Sequence, residues 1–203
     1  VSAAILAVDD ADAEHTEAAL ARIFVALWTE ELGLQAAGRH RDPDSSPIKD
    51  RLTAFAARAA RALVRAARVS VEHVAPAVET AMATVSTWVD KVVRDTTATY
   101  RDTVPSLEDL QRAAEGVSRQ AVTYTREVTR SETAQRSGLL VKTWHTQGDA
   151  RVRPSHAELR GKTQKVGTPF RTITGAYLRF PGDPQAPLDE TMGCRCRLAY
   201  SRT

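Results

Sequence analysis

For two thirds of its length the chain repeats apolar residues at helical spacing, and that rhythm stops at Gly138. Leu20, Ile23, Phe24, Leu27 and Trp28 recur every three or four residues, as a helix with one face turned to a core requires. Leu52, Phe55, Ala59, Leu63 and Ala66 do the same. Val78, Met82, Val85, Val89 and Val92 follow, then Leu110, Ala114, Val117, Ala121, Tyr124 and Val128. The spacing predicts helices over 9–34, 48–68 and 71–100, and a fourth from Pro105 to near Arg136. Asp12, Glu14 and Glu17 place acid in the first turns of the first helix, where the helix dipole favours it. Ser106 with Asp109 three residues on approaches a capping box. Residues 38–47, rich in Asp, Ser and Pro, read as a polar connector. The stripes are narrow and alanine-rich, and aromatics make up only 5% of the chain. Such stripes pack as thin-cored helices, within one chain or against partner subunits.

After Gly138 glycine, proline and threonine come at short intervals. Residues 139–144 and 196–200 read as strands, and 170–173 with 177–180 as a hairpin around Thr174-Gly175-Ala176. The expected fold is therefore α+β: a long N-terminal helical arm or bundle, 1–138, followed by a small mixed α/β module, 139–203.

Charge is unevenly spread. Residues 1–100 hold 11 basic and 14 acidic side chains, and 101–203 hold 17 and 11. The basic excess of the second half suits phosphate, an acidic partner or plain solvation. Arg51, Arg58, Arg61, Arg65 and Arg68 form a row on the second helix. That row is a candidate contact for a nucleic-acid backbone or a partner, or an ordinary solvated face. No stretch reaches the roughly 18 apolar residues of a membrane span. Residues 1–8 lack the basic start of a signal peptide, so a non-secreted chain is expected.

The two cysteines form Cys194-Arg195-Cys196. Two residues apart is poor spacing for a relaxed disulfide but places both thiols on one side of an extended segment. With His156 they supply three ligands of the kind zinc takes, and His145, Asp149 or water are candidates for the fourth. The other reading is a metal-free core in which the cysteines are small hydrophobes and His156 is a hydrogen-bonded structural histidine. Asp149, Arg151, Arg153 and His156 crowd one segment, which reads as a salt-bridge network fixing the loop in preference to a catalytic cluster. No nucleophile stands beside a base and no phosphate loop is present, so a non-enzymatic chain is expected.

Taken in order, Trp144, Asp149, Arg151, Arg153, His156, Leu159, Gly161, Phe170, Pro181, Cys194, Arg195 and Cys196 form a pattern that resembles the C-terminal domain of the Mu F-like phage head-morphogenesis, or minor capsid, family. Upstream, Thr129-Arg130-Ser131-Glu132-Thr133-Ala134 resembles the helical segment that often precedes this domain, and the likeness covers about residues 126–200. The short link from Glu132 to Trp144 departs from the pattern. The resemblance implies a structural virion protein at the portal vertex, present in several copies. It would act in capsid assembly and in genome packaging or delivery, with the portal protein, the major capsid protein and packaged DNA as partners. Among the matching positions Trp144, Asp149, Arg151, Arg153 and Gly161 are the expected structural network, and His156, Cys194 and Cys196 are the candidate zinc ligands that the residues themselves suggested, with the metal-free core as the other reading. Two alternatives stand beside it. One is a metal-dependent toxin-like or nuclease-like enzyme using His145, Asp149 and His156. The other is a capsid maturation protease using His73 with Ser70 or Ser86.

Overall fold

The computed structural model describes residues 2–37, 43–100 and 105–203, so positions 38–42 of the expected connector lie outside the described residues. The chain is α+β. Four long helices, α1 (Ser2–Ala36), α2 (Ser46–Ala67), α3 (Val74–Thr99) and α4 (Leu107–Arg136), precede a small module with two short sheets. Helix α1 begins at Ser2 instead of Asp9, because the alanines and leucine of that stretch are good helix formers with no breaker among them. A 3-10 turn over Val71–His73 leads into α3, and Ser70 Oγ accepts the Glu72 N–H there at 3.4 Å. Helix α4 starts on the expected capping box. Ser106 Oγ accepts the Asp109 N–H at 3.1 Å, and the Asp109 carboxylate accepts the Ser106 N–H at 3.2 Å.

Helix α4 packs on each of α1, α2 and α3, so the helices form a bundle. Its first half buries the stripe that the spacing predicts, including Leu110 and Ala114. Its second half does not follow a stripe. Every residue from 121 to 131 is buried, among them Thr123, Thr125, Arg126, Glu127, Thr129 and Arg130. The reason is position: the bundle covers one side of α4 and the module covers the other. Polar groups enclosed in this way need partners. Glu127 Oε1 accepts Arg126 Nε–H at 2.9 Å, and Oε2 accepts the backbone N–H of Leu198 at 3.3 Å. That second bond ties α4 to the last strand of the module.

The module is built on a three-stranded antiparallel sheet in the order β2 (Thr163–Lys165), β1 (Val141–His145), β5 (Arg197–Ser201). Here β1 pairs on both sides, with Trp144 opposite Leu198 and Thr143 opposite both Thr163 and Ala199. A two-residue hairpin pairs β3 (Phe170–Arg171) with β4 (Tyr177–Leu178). Single-turn helices α5 (Pro154–Ala157) and α6 (Leu188–Thr191) lie between strands. Alternation along β1 sends Lys142 and Trp144 to one buried face. There the Trp144 and Phe170 rings meet edge to face at 5.2 Å. Lys142 Nζ donates to the Arg179 carbonyl at 2.6 Å and lies 5.4 Å from the centre of the Phe170 ring. Burial pushes its ammonium down to about 8.

One apolar cluster runs through both parts, from Phe24 and Phe55 through Val85 and Tyr124 to Trp144, Phe180 and Leu198. The Tyr124 and Phe180 rings stack at 6.0 Å across the boundary. Beside them the turn at Gly182 (φ +75°) passes so close to α4 that a Cβ there would sit 3.1 Å from Thr123 Cγ2. Glycine meets both demands at once. The substitution Glu127→Ala is expected to cost about 3–5 kcal/mol of unfolding free energy, since it removes the buried carboxylate that Arg126 pairs with and leaves the Leu198 amide without its acceptor. Urea unfolding measures this, and a loss within experimental error would show that the Glu127 link does not join the two parts.

Candidate metal centre

His156, Cys194 and Cys196 are brought together from segments about forty residues apart, at separations of 38 and 40 positions. Arg153 is extended (φ −64°, ψ 148°), and Pro154 then occupies the first turn of α5, which its ring pre-organises. That turn carries His156 inward to 1% exposure, where the Trp144 ring meets its imidazole edge to face at 5.2 Å. Cys194 and Cys196 lie on the approach to β5. Alternate residues of an extended chain point the same way, so both thiols face inward while Arg195 stays partly exposed. Neither cysteine is in a disulfide.

The His156 Nδ1 atom is 3.4 Å from Cys194 Sγ and 3.5 Å from Cys196 Sγ. All three ligand atoms lie within 4.8 Å of one another. A tetrahedral zinc ion, with bonds of about 2.3 Å to sulfur and about 2.0 Å to nitrogen, holds N and S ligands roughly 3.5 Å apart. The spacing here therefore fits such an ion, and the donor set of one imidazole and two thiols is the set zinc prefers.

The opposite ring nitrogen lies beside an acid. His156 Nε2 is 3.1 Å from Glu190 Oε2. The same carboxylate accepts Ser155 Oγ–H at 2.8 Å and Thr174 Oγ–H at 2.5 Å. Nε2 makes no well-directed hydrogen bond and has the Glu190 carboxylate as a close charged neighbour, while Nδ1 is the ring nitrogen that faces the two sulfurs. Burial works against the charge on Glu190, but the Thr174 and Ser155 bonds, with His156 and Arg153 nearby, hold its carboxyl below the usual range. Arg153 clamps this loop from outside, donating to the carbonyls of Glu190 and Met192, each at 2.6 Å. The thiols share their burden unequally. A hydrogen bond from Cys196, aided by His156, pulls the Cys194 thiol well down, and the same bond pushes Cys196 up.

A small pocket of about 20 Å³ opens beside the three side chains, lined also by Gln147, Arg151, Arg153 and Arg195. That volume holds about one water molecule. The expectation of a chain without an enzymatic site is corrected by this cluster. Three buried ligand atoms converge within 4.8 Å beside a water-sized space, which is the composition of a metal-binding or catalytic site. The three side chains were expected as a ligand set from their chemistry, and the fold adds their burial and their convergence to within 4.8 Å.

Two further expectations change. Neither His145 nor Asp149 joins the cluster among the described residues. His145 lies on β1, and Asp149 is exposed, with both carboxylate oxygens 2.7 Å from Arg195 Nη2. Nor do Asp149, Arg151, Arg153 and His156 form one buried ionic network. Arg151 is exposed and its backbone N–H bonds Asp149, while Arg153 serves backbone carbonyls. Trp144 and Gly161 are joined through the backbone, Gly161 N–H donating to the Trp144 carbonyl at 2.8 Å. In the α2 row, Arg58 reaches both oxygens of Asp12 at 3.0 and 2.8 Å and so links α2 to α1. Arg61, Arg65 and Arg68 are exposed and Arg51 is half-buried. His73 lies 3.7 Å from Glu72, and Ser70 takes up the Glu72 N–H.

Glu190, Ser155 and Thr174 were missed. The available signal was chemical: a ligating histidine requires a partner for its second nitrogen, and Glu190 is the nearest upstream acid to Cys194. No protein-family model, curated protein or solved structure matches this chain. The substitution Glu190→Ala is expected to weaken zinc binding by about 10–100-fold, as loss of such a carboxylate typically does. Competition with a chromophoric chelator measures the affinity, and a value equal to that of the unaltered protein would remove Glu190 from the site.

Proposed function

We propose that the chain is a metal-dependent enzyme of hydrolytic, nuclease-like class, with zinc held by His156, Cys194 and Cys196. The observation that carries this reading is the pair of 3.4 and 3.5 Å separations from His156 Nδ1 to the two sulfurs, beside a pocket of water size. Structural zinc sites are closed by four protein ligands, whereas catalytic sites use three and leave a place for water or substrate. The described residues supply three. Zinc bound there would polarise an oxygen in the remaining position. The chain's own residues hold the ligands in place. Glu190 orients His156 and is engaged by Ser155 and Thr174, so it acts as a positioning residue and not as a proton shuttle. Trp144 closes the apolar side of the imidazole.

The full chain loaded with one equivalent of zinc is expected to hydrolyse nucleic acid or simple phosphate esters. The activity should disappear with a chelator, return with zinc and be absent from His156→Ala. Stoichiometric zinc with no turnover on any ester would leave a metal site and remove the enzyme.

A second reading is supported by where the residues of the family resemblance fall. Trp144, Asp149, Arg153, His156, Gly161, Cys194, Arg195 and Cys196 all engage one another or the loops between them. A pattern made of mutually contacting positions is a better family marker than scattered matches. On this reading the chain is a minor head protein that carries the metal centre into the phage head, with portal or major capsid protein as partner and packaged DNA nearby. Co-expression with portal and major capsid proteins is expected to return the chain in purified proheads. Its absence from them would end this assignment and leave the enzyme reading standing.

A further inference from the structure

The pocket beside the ligands has an unusual wall. Its charged lining consists of Arg151, Arg153 and Arg195, and the acid touching that wall is Asp149, bound to Arg195. Two thiolates cancel the charge of a divalent ion, so a centre of this ligand set is neutral by itself. Three guanidinium groups against Asp149 and the Glu190 carboxylate beside His156 then leave the surroundings of the pocket with a net charge of about +1 by formal count. A neutral metal set in a positive rim attracts an anion, and the rim restores the pull on electrons that the thiolates diminish.

The three arginines are not equivalent. Arg153 is fixed by two backbone carbonyls at 2.6 Å and contributes charge without reach. Arg195 meets Asp149 through Nη2 alone, at 2.7 Å to each oxygen, which leaves the Nε edge of its fork directed elsewhere. Arg151 is exposed, and its bond to Asp149 is made by its backbone N–H, so its side chain is available at the mouth. A space of about 20 Å³ admits a single oxygen atom with its hydrogens and not a whole substrate. The ligand that fits has one oxygen inside and others outside, in reach of planar guanidinium forks. A tetrahedral phosphoryl group has that shape and a charge that suits the rim, and arginine recognises it with paired N–H donors.

We infer that the centre takes a phosphate ester, one phosphoryl oxygen entering the pocket beside His156, Cys194 and Cys196 while Arg151 and Arg195 hold the outer oxygens. This rests on the metal reading above and deepens it by naming the two residues, Arg151 and Arg195, that hold the phosphoryl group.

The test uses the full chain with cobalt in place of zinc. Cobalt bound to thiolates gives an intense near-ultraviolet band, which reports the metal site. Its visible bands respond to what occupies the fourth position. Inorganic phosphate is expected to shift the visible bands saturably, with acetate at equal concentration much less effective. Arg151→Glu should raise the phosphate midpoint by about tenfold or more, the effect expected for loss of a charge-assisted pair. Arg202→Glu, an exposed change of the same sign after β5 and outside the pocket lining, should leave it unchanged. Because Arg151 is exposed, its variant should keep the near-ultraviolet band of the parent, which certifies an intact centre. If that band forms but the visible bands ignore phosphate, respond equally to acetate, or shift alike in both variants, the phosphate assignment is overturned and the metal site stands. If the near-ultraviolet band never forms, both are overturned.

Discussion

Glu127 is fully buried in α4, and its carboxylate is a polar link between the helices and the last strand of the module. One oxygen takes the Arg126 guanidinium and the other takes the Leu198 amide of β5. A carboxylate withdrawn from water in this way carries a desolvation penalty of several kcal/mol, so its partners are held in place as firmly as it is. The Leu198 bond sets β5 against α4. Leu198 in turn pairs with Trp144, whose ring covers His156, and Cys196 stands two residues before Leu198. A chain of short contacts thus leads from the bundle to the metal ligands. The module is not a pendant carried by helices, because its site takes its geometry from one of them.

The same logic explains why two cysteines so close in sequence remain thiols that converge on one histidine. Their separation suits a common ligand far better than a bond to each other. The surrounding loop is then fixed from three sides: Arg153 on the carbonyls of residues 190 and 192, Ser155 and Thr174 on the Glu190 carboxylate, and Trp144 on the ring face. These hydrogen bonds hold the loop against the histidine. Arg151, Arg153 and Arg195 line the small pocket beside this cluster.

Much of this architecture was legible before any coordinates. The 3.6-residue rhythm marked the four helices, Ser106 and Asp109 marked the start of α4, and the change of texture at Gly138 marked the module. His156, Cys194 and Cys196 were legible as a candidate set because their chemistry is scarce in this chain. What could not be read was the second half of α4. Its threonines and charges resemble a solvated face, and only the module lying on them turns that face into an interior. Glu190 was hidden for a related reason, since an acid on a single-turn helix acquires a role only when a histidine is brought within 3.1 Å of it.

The sequence by itself determined the local elements and the identity of the ligands, since both follow from short-range spacing and from side-chain chemistry. The tertiary structure alone decided that the helices bundle and share a core with the module. It also decided that Asp149 belongs to Arg195 and not to the metal set, and that three arginines meet at one small pocket. Those are choices among partners distant in the chain. They are settled by which buried charges find one another, and local spacing carries no record of that.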